Sequence, residues 1–200
     1  MYLWQTGGKQ IGILALIMVL GLVVVKYWQH HKQVEDQLVA KNYQIMLSAM
    51  SKDDLVTVKN QGIELMKINS HTPYPRFAAL FLTKLAEVDN DLETAANHLR
   101  WITKQAHKDP IWHIANLRLI KILLLQNKLS EVEEIKNSIE NKIPESFYSK
   151  YQELFGDLLV AKNQKTAANL LYRDAVKHLP QQIPTTLLDL KITETDMENN

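Results

Sequence analysis

The pattern of apolar and polar residues divides this chain into one short apolar run and a long amphipathic region. Residues 11–25 are apolar apart from two glycines. Beyond the run, over 33–50, apolar residues recur at the spacing of a helix with one buried face. Neither proline nor glycine occurs between positions 22 and 61. The sequence therefore predicts that the apolar run continues into this helix without a flexible linker.

A further helix start and a regular set of prolines organise the rest of the chain. Ser51 and Asp54 supply an N-cap oxygen and a first-turn carboxylate, which predicts a second helix to about Asn69. Four prolines then recur at steps of 37, 34 and 36 residues, and each interval reads as a pair of helices. A period of this length indicates stacked helix–turn–helix repeats, in which each unit buries its apolar face against its neighbours. The prolines are Pro73, Pro110, Pro144 and Pro180.

The last interval carries the most regular repeat. Its small, large and terminating positions have the spacing of a tetratricopeptide repeat. Small residues at Gly156 and Ala168 allow the two helices of the pair to cross closely. Tyr172 and Ala175 lie three residues apart, on one face of the second helix, and Pro180 ends that helix.

Two earlier copies of this repeat are less regular. Ala95 and Val132 take the place of the alanine at 168, at successive steps of 37 and 36 residues, while Thr83 and Ile120 take the place of the glycine. Six glycines, six prolines and no Asn-Gly hairpin signal leave little room for a β-sheet. The predicted fold is therefore all-α, an α-solenoid of tetratricopeptide-like repeats, with a plain helical bundle as the alternative. Corresponding turns precede the three copies: Asn90-Asp91-Leu92, Asn127-Lys128-Leu129 and Asn163-Gln164-Lys165.

The apolar run 11–25 allows three interpretations. A membrane span needs about 20 residues, but flanking aromatic and lysine side chains favour the membrane surface, so that 10–28 suffices. A cleaved signal peptide requires small residues after its apolar core, where this chain has Lys26-Tyr27-Trp28. A core helix of a globular domain requires a polar face, and the run has none. We predict an uncleaved N-terminal transmembrane helix, anchored by residues that include Ile11, Leu14, Leu16, Leu20, Val25 and Trp28.

Charge beside the run gives only a weak indication of orientation. Lys9 and the terminal amine precede it, whereas Lys26, Lys32 and Lys41 follow it. By the positive-inside rule, this count favours a cytoplasmic domain. The polar, acidic C-terminal residues are predicted to be disordered. The predicted regions are a short tail with the anchor (1–32), the repeat domain (33–192) and the disordered tail (193–200).

Little in the sequence indicates catalytic chemistry. The formal net charge of +1 gives no basic excess for nucleic acid, and the chain has no cysteine. Motifs of a serine nucleophile, a phosphate-binding loop or a zinc protease are absent from the sequence. We therefore predict a non-enzyme, with no catalytic residue, metal site or cofactor. Surface or packing roles are assigned to His30, His31, His98, His107, His113 and His178, and a solvated role to Glu131, Glu133 and Glu134.

The repeat register locates a candidate groove for a protein partner. In tetratricopeptide arrays, the second, fifth and ninth positions of each first helix line such a groove. Here these positions run from apolar to charged along the chain, which suits an extended or helical segment with an apolar anchor. Alternatively, Phe77 and Ile114 are buried in the core. The predicted groove positions are Phe77, Leu80 and Lys84, then Ile114, Leu117 and Lys121, and then Lys150, Glu153 and Asp157.

One charge lies within an otherwise apolar helix. Arg118 stands between Leu117 and Leu119, where a buried cation is costly unless it reaches a partner or water. It is either on an exposed face or held by a carboxylate of a neighbouring helix.

Short segments along nearly the whole chain resemble a known family. They are Lys26-Tyr27-Trp28, Asn42-Tyr43-Gln44, Tyr74 with Ala78-Ala79-Leu80, Asn116-Leu117-Arg118-Leu119, Gly156-Asp157-Leu158-Leu159 and Leu190-Lys191-Ile192. In the order and spacing of these segments, the chain resembles the YfgM-like ancillary subunits of the SecYEG translocon.

This resemblance implies a location and partners that the residues alone do not give. It implies a single-pass protein of the bacterial inner membrane with a cytoplasmic N-terminus and a periplasmic domain, against the lysine count. Its implied partners are the SecYEG translocon and a membrane-anchored periplasmic chaperone, in the handling of secreted proteins. Two other classes stay open: a different membrane-tethered scaffold in envelope assembly or division, and an anchored enzyme.

Overall fold

The computed structural model describes residues 3–68, 72–105, 109–139 and 142–197. Within these ranges the regular structure is helical and no strand occurs, which confirms the all-α prediction. The α-helices are α1 (Leu3–Ser51), α2 (Leu55–Lys67), α3 (Tyr74–Val88), α4 (Leu92–Thr103), α5 (Pro110–Leu125), α6 (Leu129–Ile139), α7 (Glu145–Ala161), α8 (Lys165–Lys177) and α9 (Thr186–Met197).

The first helix, α1, is one unbroken helix of 49 residues. The apolar run and the first amphipathic segment therefore share a single helix, as the missing glycine and proline predict. Of the predicted anchor residues, Leu20 and Val25 have described side chains, and both are exposed. The side chains of Ile11, Leu14, Leu16 and Trp28 lie outside the described part of the structure. Over the described residues, no helix combines the length and the hydropathy that crossing a membrane requires.

Four helix pairs share one type of connecting turn. In each turn a single residue has a positive φ, which is 57° at Asp53, 57° at Asn90, 56° at Asn127 and 61° at Asn163. Aspartate and asparagine adopt this left-handed conformation more readily than most residues with a side chain. The N–H of Asn163 donates to the carbonyl of Val160 at 2.8 Å, and the next N–H bonds one carbonyl further back. These bonds form a Schellman cap, and the other three turns repeat them.

The repeat pattern predicts three of these turns and misses the one at Asp53. Asp54, expected in the first turn of a helix, is the N-cap of α2, and its carboxylate accepts a hydrogen bond from the Thr57 N–H at 3.1 Å. Ser51, the predicted N-cap, is instead the last residue of α1. Since Asp53 precedes Asn90 by 37 residues, α1 and α2 form a helix pair of the same kind as the later ones.

The prolines lie between the helix pairs, as their period predicts. Pro73 directly precedes α3, Pro110 is the first residue of α5, Pro144 is the N-cap of α7 and Pro180 follows α8. Proline is tolerated at a helix start because the first N–H groups have no partner within the helix. Each proline therefore marks the boundary at which one pair gives way to the next.

The chain forms two compact units, Met1–Ala78 and Ala79–Asn200, with the boundary inside α3. In the first unit, α1 and α2 pack through the fully buried Val39, Met46 and Leu65. In the second unit, the buried residues of α4, α5 and α7 include Leu99, Ile102, Ile120, Leu123, Tyr151, Phe155 and Leu158.

The crossing of α7 and α8 depends on Gly156. A Cβ atom built on this residue would lie 2.6 Å from Cδ1 of Tyr172, which is closer than real Cβ contacts. The Tyr172 ring is itself buried together with Ala168 and Ala175, and its hydroxyl donates to Asp157 Oδ1 at 2.8 Å. Glycine is therefore the residue that lets this ring lie flat against α7.

The C-terminal region corrects the predicted boundary at residue 192. Thr193–Met197 form the last turn of α9 and are helical where the sequence predicts disorder. The side-chain amide of Asn169 donates to Thr195 Oγ1 at 2.8 Å, and Arg173 forms an ion pair with Asp196 at 2.7 Å. These contacts with α8 stabilise a helix that is too polar to be predicted from composition. Residues 198–200 lie outside the described part of the chain.

Candidate protein-interaction surface

Within the second unit, the first helices of successive pairs lie side by side. Arg118 of α5 reaches α3, where it forms an ion pair with Glu87 Oε2 at 3.0 Å and donates to the Leu80 carbonyl at 3.4 Å. His113 of α5 reaches α7, with its Nδ1 3.2 Å from the Tyr151 hydroxyl. Of the two interpretations of Arg118, the structure therefore has the second, a partly buried arginine held by a carboxylate of a neighbouring helix. Neighbouring first helices can present a common face to a partner.

An aromatic cluster fixes α7 against α5. The buried His113 ring stacks on Phe147, with 4.9 Å between ring centroids, and lies edge-on to Trp112 at 5.0 Å and to Tyr151 at 5.9 Å. Burial lowers the pKa of His113, against a smaller raising effect of Asp109. Burial also raises the pKa of Tyr151. Both groups are therefore neutral near pH 7 and act as packing residues of a rigid helix pair.

The apolar groove positions are accessible from solvent. Ile114 is 41% exposed, and Leu80 and Leu117 are partly buried. In the first unit, Phe77 is 39% exposed and lies against Tyr43 with 6.4 Å between ring centroids. These exposures differ from the alternative in which Phe77 and Ile114 fill the core.

The two lysines of the groove are exposed. Lys84 on α3 and Lys121 on α5 both occupy the ninth position of their helices, which is one of the three groove positions. Among the described residues, neither lysine has an ion pair or another polar partner. A partner segment at these positions would therefore meet two exposed lysines on the helices that also carry the apolar groove positions.

The third set of groove positions is already engaged within the chain. Lys191 of α9 forms ion pairs with Glu153 Oε1 at 3.0 Å and with Asp157 Oδ1 at 2.7 Å. Lys150 adds a second ion pair to Glu153, also at 3.0 Å. The carboxylates at the charged end of the predicted groove are therefore neutralised by lysines of the chain itself.

The ion pairs of this cluster shift the pKa values of Glu153 and Lys191. Burial alone would raise the pKa of Glu153, but hydrogen bonds from Lys150 and Lys191 outweigh burial and hold this pKa below its usual value. For Lys191, burial lowers the pKa, but the bonds to Asp157 and Glu153 outweigh it and leave the pKa raised. Glu153 and Lys191 are thus each held in the charged form.

A fourth set of groove positions, which sequence reasoning missed, lies on α9. Steps of 37 residues from Lys150 and Glu153 lead to Leu187 and Leu190, and both leucines are exposed. Leu188 between them is buried against α8. The repeat period carries the signal: one further step reaches these leucines, which lie within the predicted domain (33–192) but are not assigned to a predicted repeat.

In the ranges that the structure describes, no group of three or more histidine or carboxylate side chains is placed to hold a metal ion. The rings of His178 and Tyr148 pack with 4.5 Å between centroids. His107 lies outside the described residues.

The helix pairs are joined by equivalent turns. Within the second unit, their first helices lie side by side and are partly open to solvent. These features define a repeat domain of the protein-binding class. The chain belongs to the tetratricopeptide repeat-like domain family, whose model matches residues 2–196.

Three curated relatives are similar in sequence to this chain over most of their length. An ancillary SecYEG translocon subunit of Haemophilus influenzae is 28% identical over 177 residues, which cover 86% of this chain and 82% of the relative. Proteins with the same name from Aggregatibacter actinomycetemcomitans and Escherichia coli are 25% and 21% identical, over 90% and 92% of this chain and 88% and 87% of their own length. These relatives confirm the resemblance drawn from the short segments. No solved structure matches the chain.

Proposed function

We propose that this chain is a membrane-anchored interaction subunit of the SecYEG translocon at the bacterial inner membrane. It binds proteins and assists the handling of secreted polypeptides, together with a membrane-anchored periplasmic chaperone. The proposal is supported by the match to ancillary translocon subunits along most of each relative. It is also supported by a repeat fold whose exposed face suits a polypeptide ligand.

The proposed topology places residues 11–25 in the membrane, the N-terminus in the cytoplasm and the repeat domain in the periplasm. The unbroken α1 helix would carry the chain from the membrane into the first helix pair. Protease added to cells with a permeabilised outer membrane is expected to digest the region from Gln33 onward. Protection of that region, with digestion only from the cytoplasmic side, would contradict the topology.

The proposed binding site is the part of the groove on α3 and α5, where the charged side chains are not engaged by α9 as those of α7 are. The observation that carries the proposal is that Lys84 of α3 and Lys121 of α5 are exposed and have no polar partner in the described ranges, and that α5 also carries the exposed Ile114. Apolar side chains supply most of the binding free energy in such sites, while charges select among partners. We therefore expect a partner segment with an apolar anchor and neighbouring carboxylates.

In vivo photocrosslinking from position 114 tests both the partner and the site. We expect adducts with translocon subunits, and we expect Lys84→Glu with Lys121→Glu to remove most of them. A matched control reverses Lys142 and Lys177, two exposed lysines away from the groove, and should leave the adducts unchanged. Undiminished crosslinking in the folded groove variant would place the site elsewhere. Adducts with envelope-assembly proteins but not with translocon subunits would overturn the translocon assignment.

A further inference from the structure

Within the second unit, the first helices α5, α7 and α9 each use one face to pack on the helix pair before them. Leu188 of α9 is buried with Ala168, Tyr172 and Ala175 of α8. In α7, the Tyr151 hydroxyl contacts His113 of α5. Four residues further along α7, the Phe155 ring lies beneath the Lys136 ammonium of α6, 5.7 Å from the ring centroid. This face is therefore the stacking face of the repeat.

The central positions of the stacking face are buried in α3, α5 and α7. At the two central positions of the face, the exposed fractions are 0% and 3% for Ala78 and Leu82, 0% and 3% for Ala115 and Leu119, and 0% and 1% for Tyr151 and Phe155. The repeat steps carry these positions back to Lys41 and Ile45 of α1. The register holds in α1, because Val39, Met46 and Ala49 are buried like their counterparts Arg76, Thr83 and Ala86.

In α1 the same face is open to solvent. We define the open face as Val34, Leu38, Lys41 and Ile45, which recur at helical spacing on one side of α1. Its apolar members are 51%, 52% and 39% exposed, in that order. Lys41 is exposed and, among the described residues, has no polar partner. The first helix pair thus presents a packing surface that nothing in the described chain covers.

We propose that the open face of α1 binds one amphipathic helix of a different protein anchored in the same membrane. The occupant is a helix, because the preceding helix pair covers this face in α5, α7 and α9. Its apolar stripe packs on Val34, Leu38 and Ile45, and a carboxylate on the same stripe pairs with Lys41. The anchoring of both chains rests on the proposed function, since α1 is continuous with the apolar run that precedes the open face.

Charge argues against a second copy of this chain as the occupant. Two copies anchored in one membrane would meet in parallel, and their equivalent residues would lie opposite each other. Lys41 would then face Lys41 in the centre of the contact, and like charges in such a seam oppose association. A carboxylate from a different chain removes this repulsion and supplies the missing ion pair.

Photocrosslinking from position 34 in native membranes tests this inference on the full-length chain. We expect an adduct with a second, different membrane protein. In Leu38→Ser with Ile45→Ser, its yield should fall about tenfold, because two partly exposed aliphatic side chains no longer contribute to the contact. Lys41→Glu should weaken the adduct, whereas Lys41→Arg should preserve it. Leu47→Ser is the matched control: Leu47 is 43% exposed but lies off the open face, so this variant should crosslink like the parent.

Three results would overturn the inference: an adduct between two copies of this chain, adducts with lipid alone, or an undiminished adduct in the double serine variant. Unchanged helicity and melting in all variants would show that the fold is intact. The probe at position 114 separates this inference from the proposed function. If translocon adducts form from position 114 and no protein adduct forms from position 34, the open face fails as a docking site and the proposed function stands.

Discussion

The central helix pair, α5 with α6, and the last pair, α7 with α8, follow one register but fill it differently. At the crossing position of the first helix, the central pair has the fully buried Ile120 and the last pair has Gly156. On the second helix, the corresponding residues are Lys136 and Tyr172. Lys136 extends over the Phe155 ring of the next pair, whereas Tyr172 lies against its own partner helix.

This difference shows that the two residues at a crossing adjust to each other, so that the register does not fix the residue type at each position. A large side chain on the first helix accompanies a second-helix side chain that extends away, and a glycine accompanies a large ring. Protein cores require this complementarity because they are close-packed. Charge is redistributed in the same way: Arg118 and Lys191 occupy equivalent positions, yet Arg118 pairs with one carboxylate and Lys191 with two.

Gly156→Ala should have the largest effect on this comparison. Alanine favours the helix by about 1 kcal/mol, but its methyl group overlaps the Tyr172 ring, and overpacking of this kind costs about 3 kcal/mol. We expect a net loss of about 2 kcal/mol, measured by urea unfolding followed by circular dichroism. Tyr172→Leu in the same chain should recover part of the loss. In α3 and α4, the equivalent positions hold Thr83 and Leu99, so a leucine there accompanies a residue larger than glycine. If the losses in unfolding free energy of the two single variants simply add in the double variant, the Tyr172 ring is not what alanine at position 156 clashes with.

Lys191→Met should have the next largest effect. It retains the length of the side chain but leaves Glu153 and Asp157 without their shared cation, and we expect a loss of about 2 kcal/mol at pH 7. The low folded pKa of Glu153 contributes stability above its unfolded value of about 4.3, and this contribution disappears as the pH falls through the folded pKa. The difference between parent and variant should therefore shrink in acid, when the carboxyl groups become neutral. A difference that stays constant from pH 7 to strongly acidic solution would show that packing, and not charge, is responsible.

Arg118→Ala tests the counterpart of Lys191 in the central pair. The ion pair with Glu87 is partly exposed, so we expect a loss of only about 1 kcal/mol. Glu87→Gln should produce a similar loss, and the double variant should lose less than the sum of the two. An unchanged unfolding midpoint in Arg118→Ala would mean that this contact contributes nothing to stability.

Asn127→Ala and Asn163→Ala should have the smallest effects, and here the two pairs should agree. Both residues have a positive φ, which alanine adopts at a cost of about 1 kcal/mol relative to glycine. We expect similar losses of up to about 1 kcal/mol in the two variants, while the glycine variants should match the parent. Clearly unequal losses would show that the two turns are not equivalent in energy.

Much of the fold could be predicted because its signals are local. Proline at a helix start and asparagine in a left-handed turn act through their own backbone, so the boundaries near Pro110 and Asn163 can be read from the sequence. The turn at Asp53 escaped prediction because Ser51 offered an equally good cap one turn too early. The type of partner of Arg118 could be predicted from the cost of a buried charge, but its identity, Glu87, depends on tertiary packing.

The end of the candidate site could not be predicted, because its determinants lie far apart in sequence. Lys191 neutralises Glu153, 38 residues away, and α9 owes its last turn to contacts with Asn169 and Arg173. Composition favours disorder for residues 193–197, since polar segments form stable helices mainly through tertiary contacts. A continuation of the repeat period to Leu187 and Leu190 was the signal that could have identified α9 as a further first helix.

Because α1 is unbroken, the number of residues before the open face determines the direction in which that face points about the helix axis. Each residue of an α-helix advances the chain by about 1.5 Å and turns it by about 100°. One residue inserted between positions 26 and 33 would swing the open face of α1 to a different azimuth about the helix axis. Seven residues would restore its direction to within about 20° while adding about 10 Å of reach. The number of whole helical turns therefore sets how far the open face lies along the axis, and the residues left over from whole turns set the direction in which it points.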